Sequence, residues 1–387
     1  MKAMMLTKHK LGELLEVTRG ASLSGEYFST QGDYMRLTCG NFDYQNNCFK
    51  SNTSKDNLYY TGNFNQEYLM KKDDIITPLT EQAVGLLGST AWVPESGKYI
   101  QSQDVAKITP NEKLLDKKFC YYLISSKVVK QQLSAAAQQT KIRHTSPDKI
   151  KDCTVWIPSL EEQTKVGQFL YDIDSKIALN RQINDNLEAM ISCITDKMIF
   201  SNMNHIPMCS IGEIATIKAG GDCPKEYSVI PTHKYNVPIY SNGTSNEGLY
   251  GYTDKYQITG RSITIAARGT IGYCVRRYSN YVPIIRLISI KPYDLGGDTY
   301  LHQIISRISF KKNGSVQQQL TVPEVSAMRI PYPNKKTLVE YDERTLPLIL
   351  EINKNKQVIS ELIKQRDALL PFLMNGQATV NYHLSAC

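Results

Sequence analysis

The stretch 160–200 constrains this chain most, because it occurs twice. Val166, Leu170, Ile173, Ile177, Leu187, Ile191, Ile194 and Met198 follow one another in steps of three and four, with Asn180 and Asn184 filling the single gap. That spacing is the a/d seam of a long helix packed against another long helix. A shift of 175 from Ile173 onward gives Leu348, Ile352, Asn355, Ile359, Leu362, Arg366, Leu369 and Leu373. The segment Asn180-Arg181-Gln182-Ile183 becomes Asn355-Lys356-Gln357-Val358. An asparagine kept at the same seam position marks an internal repeat, and repeats decide fold before any local assignment does.

The regions preceding each seam repeat as well. Leu11-Gly12-Glu13-Leu14, continuing through Val17 to Gly20, matches Ile211-Gly212-Glu213-Ile214, continuing through Ile217 to Gly220. The first region leaves through Val155-Trp156-Ile157-Pro158 and the second through Arg329-Ile330-Pro331-Tyr332-Pro333. The expected order is a recognition-sized domain over 1–159, a helix over 160–204, a second domain over 205–335, a second helix over 336–376 and a tail over 377–387. Within the second domain, strand-like runs cover 237–241, 248–253, 262–266, 272–276 and 283–290, bounded by turn signals such as Ser241-Asn242-Gly243. In the first, 74–77, 85–93 and 104–109 play that part, and helical segments follow at 117–139 and 300–310. The fold class is α+β: two pseudo-repeated, mixed and mostly β domains joined by two long antiparallel coiled-coil helices. A pseudo-twofold arrangement brings Asn180 close to Asn355, and this pair sets the register of the spacer. Pro347 marks a kink or a fresh helix start.

Net charge is +8, and its distribution is informative. Residues 1–160 hold 20 Lys/Arg against 16 Asp/Glu and 205–336 hold 16 against 8, whereas 161–204 hold 4 against 7 and 337–387 hold 5 against 6. Basic domains on acidic helices suggest that the domains, and not the helices, meet a polyanion. The first ten residues do not read as a targeting leader, and no apolar run is long enough to span a bilayer, so a cytoplasmic chain without membrane attachment is expected. Nine cysteines without a Cys-x-x-Cys pair read as reduced thiols, and the isolated histidines give no metal-ligand pattern. No metal, cofactor or catalytic residue is expected. Phosphate-binding and dinucleotide-binding glycine loops are absent, since Gly97-Lys98 is followed by Tyr99, and no Ser or Cys nucleophile has a recognisable setting.

Loop chemistry points to nucleic-acid reading. The second domain offers Ser241, Asn242 and Thr244, then Tyr252, then Arg268, Arg276 and Arg277. Asn pairs bidentately with adenine, Arg with guanine, and Ser/Thr reach bases or phosphates. The first domain offers Thr80, Glu81 and Gln82 at the corresponding loop, with Glu81 aligned opposite Arg268, and a basic segment with Lys141 and Arg143. Two copies that keep a frame but change loop tips look like readers of two different words. An RNA-binding adaptor and a coiled-coil scaffold outside DNA recognition remain open at this point.

The chain resembles the specificity subunit of type I restriction-modification systems over essentially its whole length. The resemblance rests on the Leu/Ile-Gly-Glu openings, on Ile157-Pro158-Ser159-Leu160-Glu161-Glu162-Gln163 before the first long helix, on the repeated helices, and on Pro238-Ile239-Tyr240-Ser241-Asn242-Gly243 with Gly269-Thr270-Ile271-Gly272-Tyr273. The second copy departs from it, with Pro333-Asn334-Lys335-Lys336 in place of the Glu-Glu-Gln signature. The resemblance implies two target recognition domains, each reading one half of a split, asymmetric double-stranded DNA sequence, with the helices setting the unread gap. It further implies a non-catalytic subunit partnered by two methyltransferase subunits and by restriction/motor subunits.

Overall fold

Each Leu/Ile-Gly-Glu opening is one helical turn, Leu11–Leu14 and Ile211–Ile214, leading directly into a strand, Leu15–Arg19 and Ala215–Ala219. Its two apolar side chains point into the core of their unit. The glycine inside each turn lets another element approach: a Cβ on Gly12 would stand 3.1 Å from the Lys151 Cβ, and one on Gly212 would stand 2.1 Å from the Ser326 Oγ. The computed structural model describes residues 5–52, 55–81, 85–136, 143–310 and 319–380. Contacts gather the chain into two units, 1–180 with 357–387, and 181–356, so each unit holds one β-rich domain and part of both long helices.

In the first unit an antiparallel four-stranded sheet runs Ala91–Trp92, Ile75–Pro78, Val105–Pro110, Leu15–Arg19. A second sheet orders Tyr99–Ile100, Tyr34–Arg36, Tyr59–Tyr60 and Phe28–Ser29, its first pair parallel. The strand Thr7–Lys10 pairs with the exit strand Thr154–Ile157. The second unit repeats this plan. Its antiparallel sheet runs Ala215–Ala219, Ile288–Pro292, Ser262–Ile265, Cys274–Arg277. Its second sheet orders Leu249–Thr253, Val237–Tyr240 and Val282–Pro283, the last pair again parallel. Met208–Ser210 pairs with Arg329–Pro331 as the domain closes.

Two expected segments break in ways that matter. The run 283–290, expected as one strand, splits into Val282–Pro283 and Ile288–Pro292, which belong to different sheets. The helix expected over 117–139, of which 137–139 lie outside the described residues, is two, Lys117–Ile124 and Lys127–Ala136, divided at Ser125 and Ser126. Ser125 returns its hydroxyl to the carbonyls of Tyr121 and Tyr122, and such back-bonding favours a helix end. In the second copy the helix expected over 300–310 is Gly297–Ile305, starting three residues earlier and ending five earlier.

The long helices are Leu160–Met198 and Lys335–Met374. The second runs unbroken through Pro347, correcting the expected kink. Pro347 removes the donor to the Glu343 carbonyl, and both residues lie on the exposed face of the helix, where the loss costs least. The helices pack antiparallel within each unit. In the first, Val166 and Leu170 share a core with Leu373 and Met374, and Arg366 pairs with Asp174 at 2.8 Å. In the second, Ile191 packs on Ile349 and Ile352, and Thr195 shares a 2.8 Å hydrogen bond with Tyr341. This register brings Asn184, one turn on from Asn180, level with Asn355. The Asn355 Nδ2 donates to the Asn184 Oδ1 at 3.0 Å, and Asn180 turns its amide to the Lys176 carbonyl of its own helix. The expected Asn180–Asn355 pair is therefore replaced by Asn184–Asn355.

The first helix junction explains its signature. Gln163 is buried, accepts from the Asp116 N–H at 2.9 Å and donates to the carbonyls of Pro158 and Leu114. It thereby ties the preceding loop to the helix. At the second junction Asn334 takes over as a cap, accepting from the Thr337 N–H at 3.0 Å. No helix among the described residues is long and apolar enough to cross a membrane.

Candidate nucleic-acid interface

The sheet registers place the two copies in correspondence residue by residue. Val17 pairs with Ile108 and Ile108 with Ile75, as Ile217 pairs with Ile290 and Ile290 with Ile263. Counting on from these pairs, Thr80 corresponds to Arg268, so the alignment of Glu81 with Arg268 is corrected by one residue. The Thr80 hydroxyl lies 3.2 Å from the His144 Nδ1, and the Arg268 guanidinium donates to the Gln319 Oε1 at 2.7 and 3.1 Å. His144 and Gln319 are themselves equivalent, since Thr145 N–H donates to the Leu79 carbonyl and Leu320 N–H to that of Ala267. One backbone frame thus presents a Thr/His couple in one unit and an Arg/Gln couple in the other. Arg268 is exposed.

Beside this turn lies a second one. In the second unit it is Ile285-Arg286, closed by the Leu287 N–H to the Ile284 carbonyl at 3.0 Å. Both central residues have positive φ, 52° and 60°. For L-residues this costs about 1–2 kcal/mol each, and a β-branched residue there is a genuine outlier. The matched turn of the first unit is Gln103-Asp104, closed by the Val105 N–H to the Ser102 carbonyl at 3.1 Å. The Thr80 hydroxyl reaches the Asp104 carboxylate at 3.5 Å, so the two turns adjoin in that unit. Gly20 and Gly220 allow the approach behind them: a Cβ would stand 2.3 Å from the Gln101 carbonyl oxygen or 2.6 Å from the Pro283 carbonyl carbon.

Several residues expected to contact nucleic acid do other work. Asn242 donates to the Ile285 carbonyl at 2.6 Å and accepts from the Ala267 N–H at 2.8 Å, bracing both turns with its whole amide. Arg277 is buried, lies 3.6 Å over the Tyr240 ring, and donates to the Thr264 hydroxyl at 3.0 Å and the Glu247 carbonyl at 2.6 Å. Arg276 is also buried at its side chain and pairs with Glu188 on the long helix, with His302 alongside. Both guanidiniums are consumed within the fold, which corrects their expected role as open readers. Successive strand residues face opposite ways, and both faces of Cys274–Arg277 are covered. Ser241 hydrogen-bonds the Gly248 carbonyl, Thr244 is exposed, and Tyr252 is half-buried with its backbone paired to Ser228. Arg143 pairs through its backbone with Glu81, while Gln82, Lys141 and the Arg143 side chain lie outside the described residues.

Burial sets the titration of the groups behind this surface. It pushes the Cys39 thiol, which donates to the Thr80 carbonyl, up to about 11, and raises Tyr240 against the opposing pull of Arg277. His302, half-buried and beside Arg276, is pushed down to about 3 and stays neutral. Sequence pattern does not single out the exposed pair Ile285 and Arg286. A lone arginine inside the apolar run 282–290 was the available signal.

The type I restriction modification DNA specificity domain matches this chain twice, over 6–189 and 206–369. The chain is 23% identical over 368 residues to a Mycoplasma pneumoniae protein that carries the name of a type I specificity subunit, covering 93% of this chain and 94% of that one. It is 22% identical over 318 residues to the MjaIX type I restriction enzyme specificity subunit of Methanocaldococcus jannaschii, covering 72% and 73%. Its fold is similar to the crystal structure of the type I restriction-modification S subunit from M. genitalium, with TM-score 0.63, 16% identity and 97% of each chain covered. Two family matches that follow the two structural repeats place the chain in the type I restriction modification DNA specificity family.

Proposed function

We propose that this chain reads double-stranded DNA for a type I restriction-modification complex, each domain recognising one half of a split target. The observation that carries the reading is the matched turn cluster, Thr80 with His144 in one unit and Arg268 with Gln319 in the other. A shared frame with different hydrogen-bonding chemistry is what two half-site readers require. Thr244 and Tyr252 belong to this reading of the second unit, and Gln82, Lys141 and Arg143 to that of the first. The basic charge of the domains supplies attraction to phosphate.

The subunit itself acts without catalysis or a cofactor, in the cytoplasm, and brings two methyltransferase subunits and the restriction/motor subunits to the site. Support for protein partners comes from the long helices. Leu179, Ile183, Met190, Leu350, Val358 and Phe372 are all exposed, although the a/d seam is already occupied. A second apolar stripe on a solvent-facing helix suits partner helices.

The test is a map of methylated adenines across the source genome, with and without this gene. A split motif of fixed gap that disappears on deletion is expected. An unchanged map overturns the reading.

A further inference from the structure

We propose that the Ile285-Arg286 turn is the base-contacting tip of the second domain, with the Arg286 guanidinium as its reading group. The proposal rests on the DNA-reading function above and names the residue that carries it in this unit.

Four observations converge on the turn. First, both residues occupy the left-handed region, where a two-residue turn ordinarily selects Asn-Gly. A chain that places isoleucine and arginine there gives up stability, and strain of this kind concentrates at functional sites. Second, the surroundings enforce the conformation. The Ile285 N–H donates to the Gly221 carbonyl at 2.9 Å, the Arg286 N–H to the Gly220 carbonyl at 3.0 Å, and the Ile285 carbonyl accepts from Asn242. Third, both side chains remain exposed, Ile285 at 51%, although the residues on either side of the pair are buried. An apolar side chain held out beside a guanidinium suits contact with a thymine methyl next to a bidentate guanine contact. Fourth, the equivalent turn of the first unit, closed by the same backbone bond, carries Gln103-Asp104 on ordinary backbone, so side chains and turn conformation both differ at one matched place in the fold.

Arg268 is the neighbour on the adjoining turn, reached through Asn242 and the Ala267 N–H. Its guanidinium is already engaged by Gln319, whereas no hydrogen bond or ion pair involves the Arg286 side chain among the described residues. Arg286 is therefore the side chain of the two with its donors available.

Genome methylation maps decide the matter, comparing wild type, a gene deletion, Arg286→Lys, and the double variant Ile285→Asn with Arg286→Gly. Lysine keeps the charge but loses the planar fork. The expected outcome is that Arg286→Lys relaxes one position in one half of the motif by roughly tenfold to a hundredfold, leaving the other half intact. The double variant suits the turn better and should melt no lower than wild type, yet lose recognition of that half-site. A motif unchanged in both variants overturns the role of the turn while leaving DNA reading in place. A map unaffected by gene deletion overturns the DNA-reading function and this proposal together. Should the double variant melt lower, Arg286→Lys, which alters only exposed atoms, decides alone.

Discussion

The Asn355 amide donates to the Asn184 oxygen at 3.0 Å in the buried seam of the helix pair. The two amides bond each other across the seam, so the pair is coupled. Replacing Asn355 by Leu strands a buried amide and should cost about 1–3 kcal/mol in a denaturant melt. The double variant Asn184→Leu with Asn355→Leu should recover at least that loss, because two apolar groups fill an a/d seam without unsatisfied atoms. Additive losses would show that the asparagines act separately. Asn180→Leu, at a half-exposed position bonded to its own helix, should change stability by less than about 0.5 kcal/mol.

Arg366 is the counterpart in the first unit. It is buried where the repeat predicts an apolar residue, and it bonds Asp174 at 2.8 Å and the Asn46 carbonyl at 3.2 Å. Tyr122 donates to the same carboxylate at 2.7 Å. Removing the cation leaves a charge without its partner, so Arg366→Leu should cost about 3 kcal/mol, the low end for a buried pair because Asp174 keeps some solvent contact. Adding Asp174→Asn to that variant should restore part of the loss. A melt unchanged by Arg366→Leu would show that the Arg366–Asp174 pair contributes nothing to stability.

The repeat was legible because covalent spacing preserves it: offsets of 175 and 200 located both long helices and both Gly-containing openings. The helix pair's register was not, since it depends on which turns interlock, and one turn separates Asn180 from Asn184. The arginines show the same limit more sharply. Composition reveals Arg268, Arg276, Arg277 and Arg286 alike, but a strand residue's direction depends on what covers each face. Arg276 meets the helix at Glu188, Arg277 meets Thr264, and the two turn arginines are left facing water. The loop cluster could be named from sequence; which of its side chains stay exposed and which are consumed within the fold needed the packing.

Gly20 and Gly220 should be intolerant of alanine for one shared reason. A methyl group at either meets backbone atoms at 2.3 and 2.6 Å, and backbone cannot swing aside. Each substitution should cost about 3 kcal/mol, as in an overpacked core, and should displace the adjoining turn at Gln101–Asp104 or Ile284–Leu287. Thermal melts of Gly20→Ala and Gly220→Ala check this; losses below about 1 kcal/mol would show that the sheets part easily.

Stability should fall with acid through His302. Burial first, and the nearby Arg276 second, lower its pKa from 6.5 to about 3. Glu188, Glu247 and Lys356 also border this cavity. Between these values the unfolded chain holds a proton that the folded chain refuses, so stability is full above about pH 6.5 and drains as pH drops toward 3. At pH 5 the loss is on the order of 2 kcal/mol. His302→Gln should flatten the melting temperature between pH 6.5 and 5 relative to wild type. Parallel curves for the two proteins would mean that another group sets the acid limit.

On the split-target reading proposed above, the helices should act as a ruler for the gap between half-sites. Antiparallel packing means that a heptad can be removed from both partners without breaking the seam, for instance 176–182 together with 358–364. Seven residues at ~1.5 Å each shorten the paired helices by ~10 Å, about three base-pair steps at ~3.4 Å. Asn184 and Asn355 stay in place, so register is retained. The shortened protein should keep both half-sites and methylate them at a gap about three base pairs smaller, or lose activity where the new helical phase forbids both domains from engaging one DNA face. Methylation mapping reads the gap directly. Half-sites still found at the original spacing would mean that the helices hold partners without measuring DNA.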